Sequence, residues 1–252
     1  MLQFLLSKIL QFLPLALVLV IWQIITGHSD RLTFLFGSPV LVAKAMWNAL
    51  FRGSLLTDSF VTFIETMLGF IGGNILGSLI GLSLWFSRKV ARIARPYIIA
   101  LGSVPIFALA PMLIIWFGTG LFSKIIMASF STFIVAAVQA YNGAQNVDKD
   151  QIMLLRTFGA RRKQIFIKVI IPSSLIWVFA SYKINIGFAL LGAFIGELIS
   201  SEKGLGHLIM RAGGLYNIPL VFVGIAMFIA IALVLSFIVG LFEKIFMSWR
   251  SS

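Results

Sequence analysis

Six separate stretches of this 252-residue chain, near 9–26, 59–86, 97–117, 121–140, 173–198 and 218–242, are apolar almost throughout. Each is close to the roughly 20 residues a helix needs to cross a bilayer core about 30 Å thick. In hydrocarbon every backbone N–H and C=O must be bonded internally, so runs of this length are expected to be helices. Composition agrees: 60% of residues are hydrophobic, 11% are charged, and the mean hydropathy is +1.05. Soluble domains run at about 45–50% and about 25%. The expected fold is all-α, a polytopic membrane bundle of six transmembrane helices forming one domain over 1–252. The first stretch follows Lys8 and reads as a retained anchor rather than a removed signal, because five more spans follow.

The formal net charge of +12 would suggest nucleic acid in a soluble chain, but here the cations mark loops. With the N-terminus cytoplasmic, that side receives Lys8, Arg88, Lys89, Arg92, Arg95, Lys149, Arg156, Arg161, Arg162, Lys163, Lys168, Lys244 and Arg250. The opposite side receives Arg31, Lys44, Arg52, Lys124, Lys203 and Arg211, and Lys183 alone falls within a span. Both termini are therefore expected in the cytoplasm. The chain has no cysteine, which removes disulfides, thiolate metal sites and a Cys nucleophile. Its two histidines, His28 and His207, stand apart, and no carboxylate pair has a metal-binding spacing, so neither a metal site nor a catalytic residue is expected.

Three local patterns refine the spans. Residues 27–58 form an extracytoplasmic loop holding Val40, Leu41, Met46, Trp47, Leu50 and Phe51 at helical spacing. That is a short amphipathic helix, lying either at the membrane interface or against the bundle. Gly69, Gly73, Gly77 and Gly81 recur every fourth residue and mark a face where another helix backbone can come close. Gly102, Pro105 and Pro111 weaken the ladder of the third span and predict a kinked helix.

Residues 141–172, between the fourth and fifth spans, are too long and too patterned for a plain connector. Asp148 and Gln151 resemble a capping box, so a helix is expected to start there and to stop at Gly159, which can take the left-handed conformation. Ile152, Met153, Leu154 and Leu155 are four apolar residues in a row on a segment otherwise polar and basic. They either dip into the bilayer interface or fill a hydrophobic groove on a cytoplasmic partner.

The run Val147–Pro172 resembles the loop signature of permease subunits of binding-protein-dependent ABC importers: Glu-Ala-Ala, three residues, Gly, nine residues, Ile-x-Leu-Pro. Gly159 falls on the Gly, and Val169, Ile171 and Pro172 on the end, without a gap. Met153, Leu154 and Leu155 replace Glu-Ala-Ala; either the polar part of the docking contact is lost or the partner's groove is more apolar. Ser103-Val-Pro105 to Pro111, Trp116-Phe-Gly118, Ser123-Lys124, Gly187–Glu197 and Gly204-Leu-Gly206 are similar to the nitrate, sulfonate, taurine and bicarbonate branch. Glu65 stands where that branch more often carries a basic residue.

The resemblance implies a type I importer permease in the bacterial cytoplasmic (inner) membrane, with a second copy forming the path for a small, anionic solute. It implies two cytoplasmic ABC ATPase subunits that bind the ATP and Mg, an extracytoplasmic solute-binding protein, a lipid environment and no nucleic acid. This chain would hold no cofactor and catalyse nothing. Gln151, Ile152, Met153, Leu154, Leu155, Arg156, Phe158, Gly159, Ala160 and Arg161 are the expected ATPase-coupling residues. Candidates for the translocation path are Glu65, Asn74, Ser103, Pro105, Lys183, Asn185 and Glu197, since polar groups inside a membrane are costly. Several keep a structural alternative: a cation partner for Glu65, snorkelling for Lys183, and capping or pairing with Lys203 or Arg211 for Glu197. A self-sufficient channel or secondary transporter is the competing function, for which an inverted repeat would be expected. No repeat is evident. A membrane enzyme would need convergent His, Asp or Glu residues, which eight scattered carboxylates do not provide.

Overall fold

The computed structural model describes residues 2–247, with side chains at 13, 14 and 16–247. Lys8 and Arg250 therefore lie outside the described side chains, as do positions 9–12 and 15 of the first expected span. Every regular element among the described residues is helical: α1 Leu2–Gly27, α2 Asp30–Phe36, α3 Pro39–Arg52, α4 Leu55–Ser83, α5 Arg88–Gly102 and α6 Ile106–Phe117 are followed by α7 Leu121–Gln145 and α8 Lys149–Thr157. The chain continues through α9 Arg162–Ile165, α10 Ile171–Ser200, α11 Leu205–Gly214 and α12 Ile218–Phe246. Four uninterrupted helical stretches, Leu55–Phe86, Leu121–Gln145, Arg162–Ser200 and Ile218–Phe246, are each long and apolar enough to cross a membrane. They contain the second, fourth, fifth and sixth expected spans.

The bundle is centred on α4, α7 and α10, and the glycine ladder explains why. A Cβ added at Gly69, Gly73, Gly77 or Gly81 would run into the α7 carbonyl of Ile125, Ser129, Phe133 or Ala137 respectively. The α4 backbone thus lies directly on α7 along four turns, where dispersion contacts and not the hydrophobic effect hold helices together in lipid. Gly192 and Gly196 repeat the device on α10, against Met127, Ala128 and Lys124 of α7. A second cluster, with Leu55, Phe70, Ile186, Leu190, Leu205, Val223 and Ile231, joins α4, α10, α11 and α12. The outward faces stay apolar: Ile115, Leu233 and Phe237 are exposed, an arrangement water would penalise and lipid or a neighbouring subunit favours.

The third expected span is not one kinked helix. α5 and α6 meet at 93°, with the break at Ser103-Val104-Pro105 and not at Pro111, which α6 contains. Pro105 adopts φ −63° and ψ 128° as the residue preceding α6, and proline disfavours α geometry in the residue before it. α6 has 12 residues, about 18 Å, too short to cross the core alone. α5 is amphipathic, with Arg88, Arg92 and Arg95 at helical spacing on one face and Val90, Ile93 and Tyr97 on the other.

The loop after α1 contains two helices where one was expected, and α2 and α3 are bent by 51°. Ser38 caps α3 by accepting the N–H of Leu41 at 3.3 Å. Met46 and Leu50, with Val42, Ala45 and Ala49, pack on the second cluster, while Val40, Trp47 and Phe51 face outward. One face of α3 thus packs against the bundle and the other is exposed.

Candidate functional site

The connection from α7 to α10 is built around its caps. Asp148 precedes α8 and its Oδ1 accepts the N–H of Asp150 at 2.9 Å, so the helix starts where expected. The reciprocal half of the box lies elsewhere: the N–H of Arg161 donates to Gln164 Oε1 at 2.7 Å, at the start of α9. α8 ends as the glycine requires. Gly159 has φ +74°, its N–H donates to Arg156 O, and Ala160 N–H donates to Leu155 O, both at 2.9 Å. This pair of bonds is the Schellman arrangement.

These caps set the rotation of α8, and the rotation divides the apolar run. Ile152 and Leu155 turn inward onto Ala144, Val147, Ile165 and Ile170, with Ala160 and Trp85 alongside. Met153, Leu154 and Phe158 turn outward, 67%, 58% and 78% exposed. Gln151, Arg156, Gly159 and Arg161 are exposed as well. Of the ten expected coupling residues, Ile152, Leu155 and Ala160 therefore help hold the loop to the bundle, and seven are available at the surface.

From α9 the helix runs on through a π turn, Phe166–Ile170, into α10. Ile171 N–H donates to Phe166 O, five residues back, and that wider turn is where Pro172, lacking an N–H, enters the helix. The result is one stretch of 39 residues, Arg162–Ser200, so the end of the loop is the start of the fifth span.

The polar residues inside the membrane resolve into three contacts. Asn185 Nδ2 donates to Asn74 Oδ1 at 2.6 Å and to Thr132 O at 3.1 Å, clamping α10 to α4 and α7 in the bundle interior. Lys183 pairs with Glu243 of α12 at 2.6 Å, the one ion pair within 4 Å among the described residues. Its terminal ammonium is thus matched by a carboxylate, which neither a free anion site nor simple snorkelling anticipated.

The third contact is at the C-terminal end of α10. Glu197 is fully buried; its Oε1 accepts from Thr62 Oγ1 at 2.5 Å and its Oε2 from Gly206 N–H at 2.6 Å. Leu205 N–H donates to Thr62 Oγ1 and Gly204 N–H to Asp58 Oδ1, each at 2.9 Å. Three successive amides at the start of α11 are thereby satisfied by acceptors from α4 and α10. Glu197 is a helix cap, and it forms no ion pair with Lys203 or Arg211. Gly204, at φ +104°, packs against the Glu197 carboxylate so closely that a Cβ would collide with it.

Glu65 did not find the cation expected for it. It lies beside Glu197, with Lys124 nearby, yet no ion pair within 4 Å forms; Lys124 Nζ donates to Thr119 O at 2.9 Å, and Glu65 Oε2 has no hydrogen-bond partner. Ser103 and Pro105 are exposed at the α5–α6 break, away from these contacts. Sequence reasoning passed over Asp58, Thr62 and Glu243. The first two were legible: Asp58, Thr62, Glu65 and Thr66 extend the face of the glycine ladder by the same helical spacing. Among the described residues no group of His, Cys, Asp or Glu could hold a metal ion. Beside the α11 cap a cavity of about 890 Å³ opens between α3, α11 and α12, with Lys44, Arg52, Lys203, His207 and Arg211 in its lining.

A helical bundle with apolar outer faces, an interior fastened by polar clamps, and a loop whose last helix, α9, runs on into a span is the architecture of a polytopic membrane protein. The chain belongs to the family of binding-protein-dependent transport system inner membrane components, whose profile matches residues 73–247. It is 32% identical to the riboflavin transport system permease protein RibX of Chloroflexus aurantiacus, over 94% of this chain and 89% of the relative. It is 29% identical to a putative aliphatic sulfonates transport permease protein, SsuC, of Bacillus subtilis, over 94% and 86%. The fold resembles a chain of the MetNI methionine ABC transporter in an inward-facing conformation, with a TM-score of 0.68 and 19% identity, over 76% of this chain and 95% of that one. It is therefore a multi-pass permease subunit of an ABC importer in the bacterial inner membrane, and the reading as a self-sufficient channel or secondary transporter is set aside.

Proposed function

We propose that two copies of this chain form the translocation path, with both termini in the cytoplasm, and that each copy takes the stroke of a separate ABC ATPase, which binds ATP and Mg, on α8. The observation that carries this reading is the outward triad Met153, Leu154 and Phe158, on α8 and its C-cap, which a four-residue turn joins to the continuous stretch Arg162–Ser200. Exposed apolar side chains on a basic, water-facing segment favour a groove that covers them. A displacement of α8 would pass into α10 as a rigid movement, because Ile152 and Leu155 tie the two through the cluster with Ile165 and Ile170.

In this reading the extracytoplasmic binding protein docks at the cavity beside the capped α11, whose lining holds Lys44, Arg52, Lys203 and Arg211 against Asp58 and Glu202. The solute is a small molecule. Relatives are named for riboflavin, aliphatic sulfonates and, in Halalkalibacterium halodurans, formylaminopyrimidine, which differ in charge. The expectation of an anion loses its intramembrane support, since Lys183 is matched by Glu243.

The test is Leu154→Asp with Phe158→Asp in the assembled transporter in proteoliposomes. ATP hydrolysis without uptake, or loss of the ATPase from a folded permease, is the expected result. Unchanged uptake would refute docking on α8.

A further inference from the structure

We propose that the groove between the start of α5 and the flank of α8 that carries Lys149, Ile152, Met153 and Arg156 binds the phosphate of a phospholipid headgroup. The groove has a volume of about 570 Å³, and Arg88, Lys149, Arg156 and Arg162 all line it without a single carboxylate. None of the four is in an ion pair within 4 Å among the described residues. They come from three separate segments, α5, α8 and α9, which folding has brought around one space. Like charges gathered this way repel, and an anion between them turns the repulsion into attraction.

The walls identify the kind of anion. Trp85 lines the groove and belongs to an aromatic cluster with Phe86 and Phe166, ring centroids 4.4 to 5.7 Å apart. The Arg162 guanidinium lies over Trp85 at 5.3 Å and Phe86 at 5.9 Å, and its Nη2 donates to Trp85 O at 3.4 Å. One N–H of the five is used there, leaving the others for a ligand, and a guanidinium matches phosphate geometry. Trp85 also closes the apolar stretch Leu55–Phe86, at the depth where tryptophan marks the headgroup layer. Cations scattered along the flanks of a span would need no aromatic wall. A diester phosphate with apolar chains beside it fits both the charges and that wall.

A phosphate held there would tie the first residue of α5 to both ends of α8, so lipid composition would set how firmly the loop helix is seated. The experiment uses the complete permease–ATPase assembly. Native mass spectrometry counts phospholipid retained from detergent, and thermal stability of the delipidated assembly is followed on adding a short-chain phosphatidylglycerol or inorganic phosphate. Arg88→Gln with Lys149→Gln is expected to weaken retention roughly fivefold per cation removed, while Arg88→Lys with Lys149→Arg preserves it and so separates charge loss from misfolding. Retention equal in all three proteins would overturn the proposal. So would stabilisation by inorganic phosphate with no gain from lipid, which marks a soluble-anion site, or lipid bound only when the ATPase is absent, which means that the motor fills the groove.

Discussion

Glu197 and Gly206 are nine residues apart in the chain, and the carboxylate of one accepts the backbone N–H of the other at 2.6 Å in a fully buried setting. The same carboxylate takes the hydroxyl of Thr62, so a single side chain fastens α10 to α4 and seats α11 on both. Glu197→Ala removes two hydrogen bonds and leaves a buried amide without a partner, at a cost of about 1–3 kcal/mol. A drop in melting temperature of the detergent-solubilised permease is expected, with uptake falling alongside. Lys203→Ala, at a residue absent from the cap, should leave the melting temperature in place.

The Asn74–Asn185 clamp is expected to couple α4 and α10 measurably. Asn74→Leu and Asn185→Leu each break it, and a double-mutant cycle on unfolding should return a coupling of about 0.6 kcal/mol, the average for hydrogen bonds between membrane helices, and no more than about 1.7 kcal/mol. A coupling indistinguishable from zero would mean the contact contributes nothing to association.

The glycine ladder makes a prediction about position. Gly73→Ala and Gly77→Ala place a methyl group against the carbonyls of Ser129 and Phe133 and should reduce folded yield severalfold, since overpacking typically costs about 1–3 kcal/mol. Gly187→Ala, with nothing within 4 Å of the new Cβ, should be silent. Yield of monodisperse protein on size exclusion reads both.

On α8, neighbouring residues should fail in different ways. Leu154→Asp changes an exposed side chain and should leave the permease folded but uncoupled. Leu155→Asp buries a charge in the cluster with Ile165 and Ile170 and should destabilise the loop, read as faster proteolysis between α7 and α10. Identical behaviour of the two would contradict the rotation of α8.

Lys183→Ala leaves Glu243 without its partner, and a charge exchange, Lys183→Glu with Glu243→Lys, should restore what the single change loses. Uptake measured in proteoliposomes distinguishes them. Both groups are partly exposed, so the single effect should be small.

The second, fourth, fifth and sixth spans, the seam glycines and the start and stop of α8 were legible in the sequence because each follows from a local rule. A bilayer demands about 20 apolar residues per crossing, a close helix contact demands small residues every fourth position, and a helix end demands a cap. Rotation and partnership were not legible. Four apolar residues in a row do not say which two face the bundle; the turn at Gly159 and the seating of Ile165 against Ile152 and Leu155 decided it. Nor could spacing place Glu197 on an amide nine residues later, or Glu243 against Lys183, because those contacts join different helices and their geometry exists only once α4, α7 and α10 have packed. The break at Ser103–Pro105 lies between the two cases: proline announced a disturbance, but its 93° extent depends on what the two half-helices rest against. Sequence thus determined what each segment is, through constraints acting within a few residues, and tertiary structure decided what each side chain meets, through contacts between helices far apart in the chain.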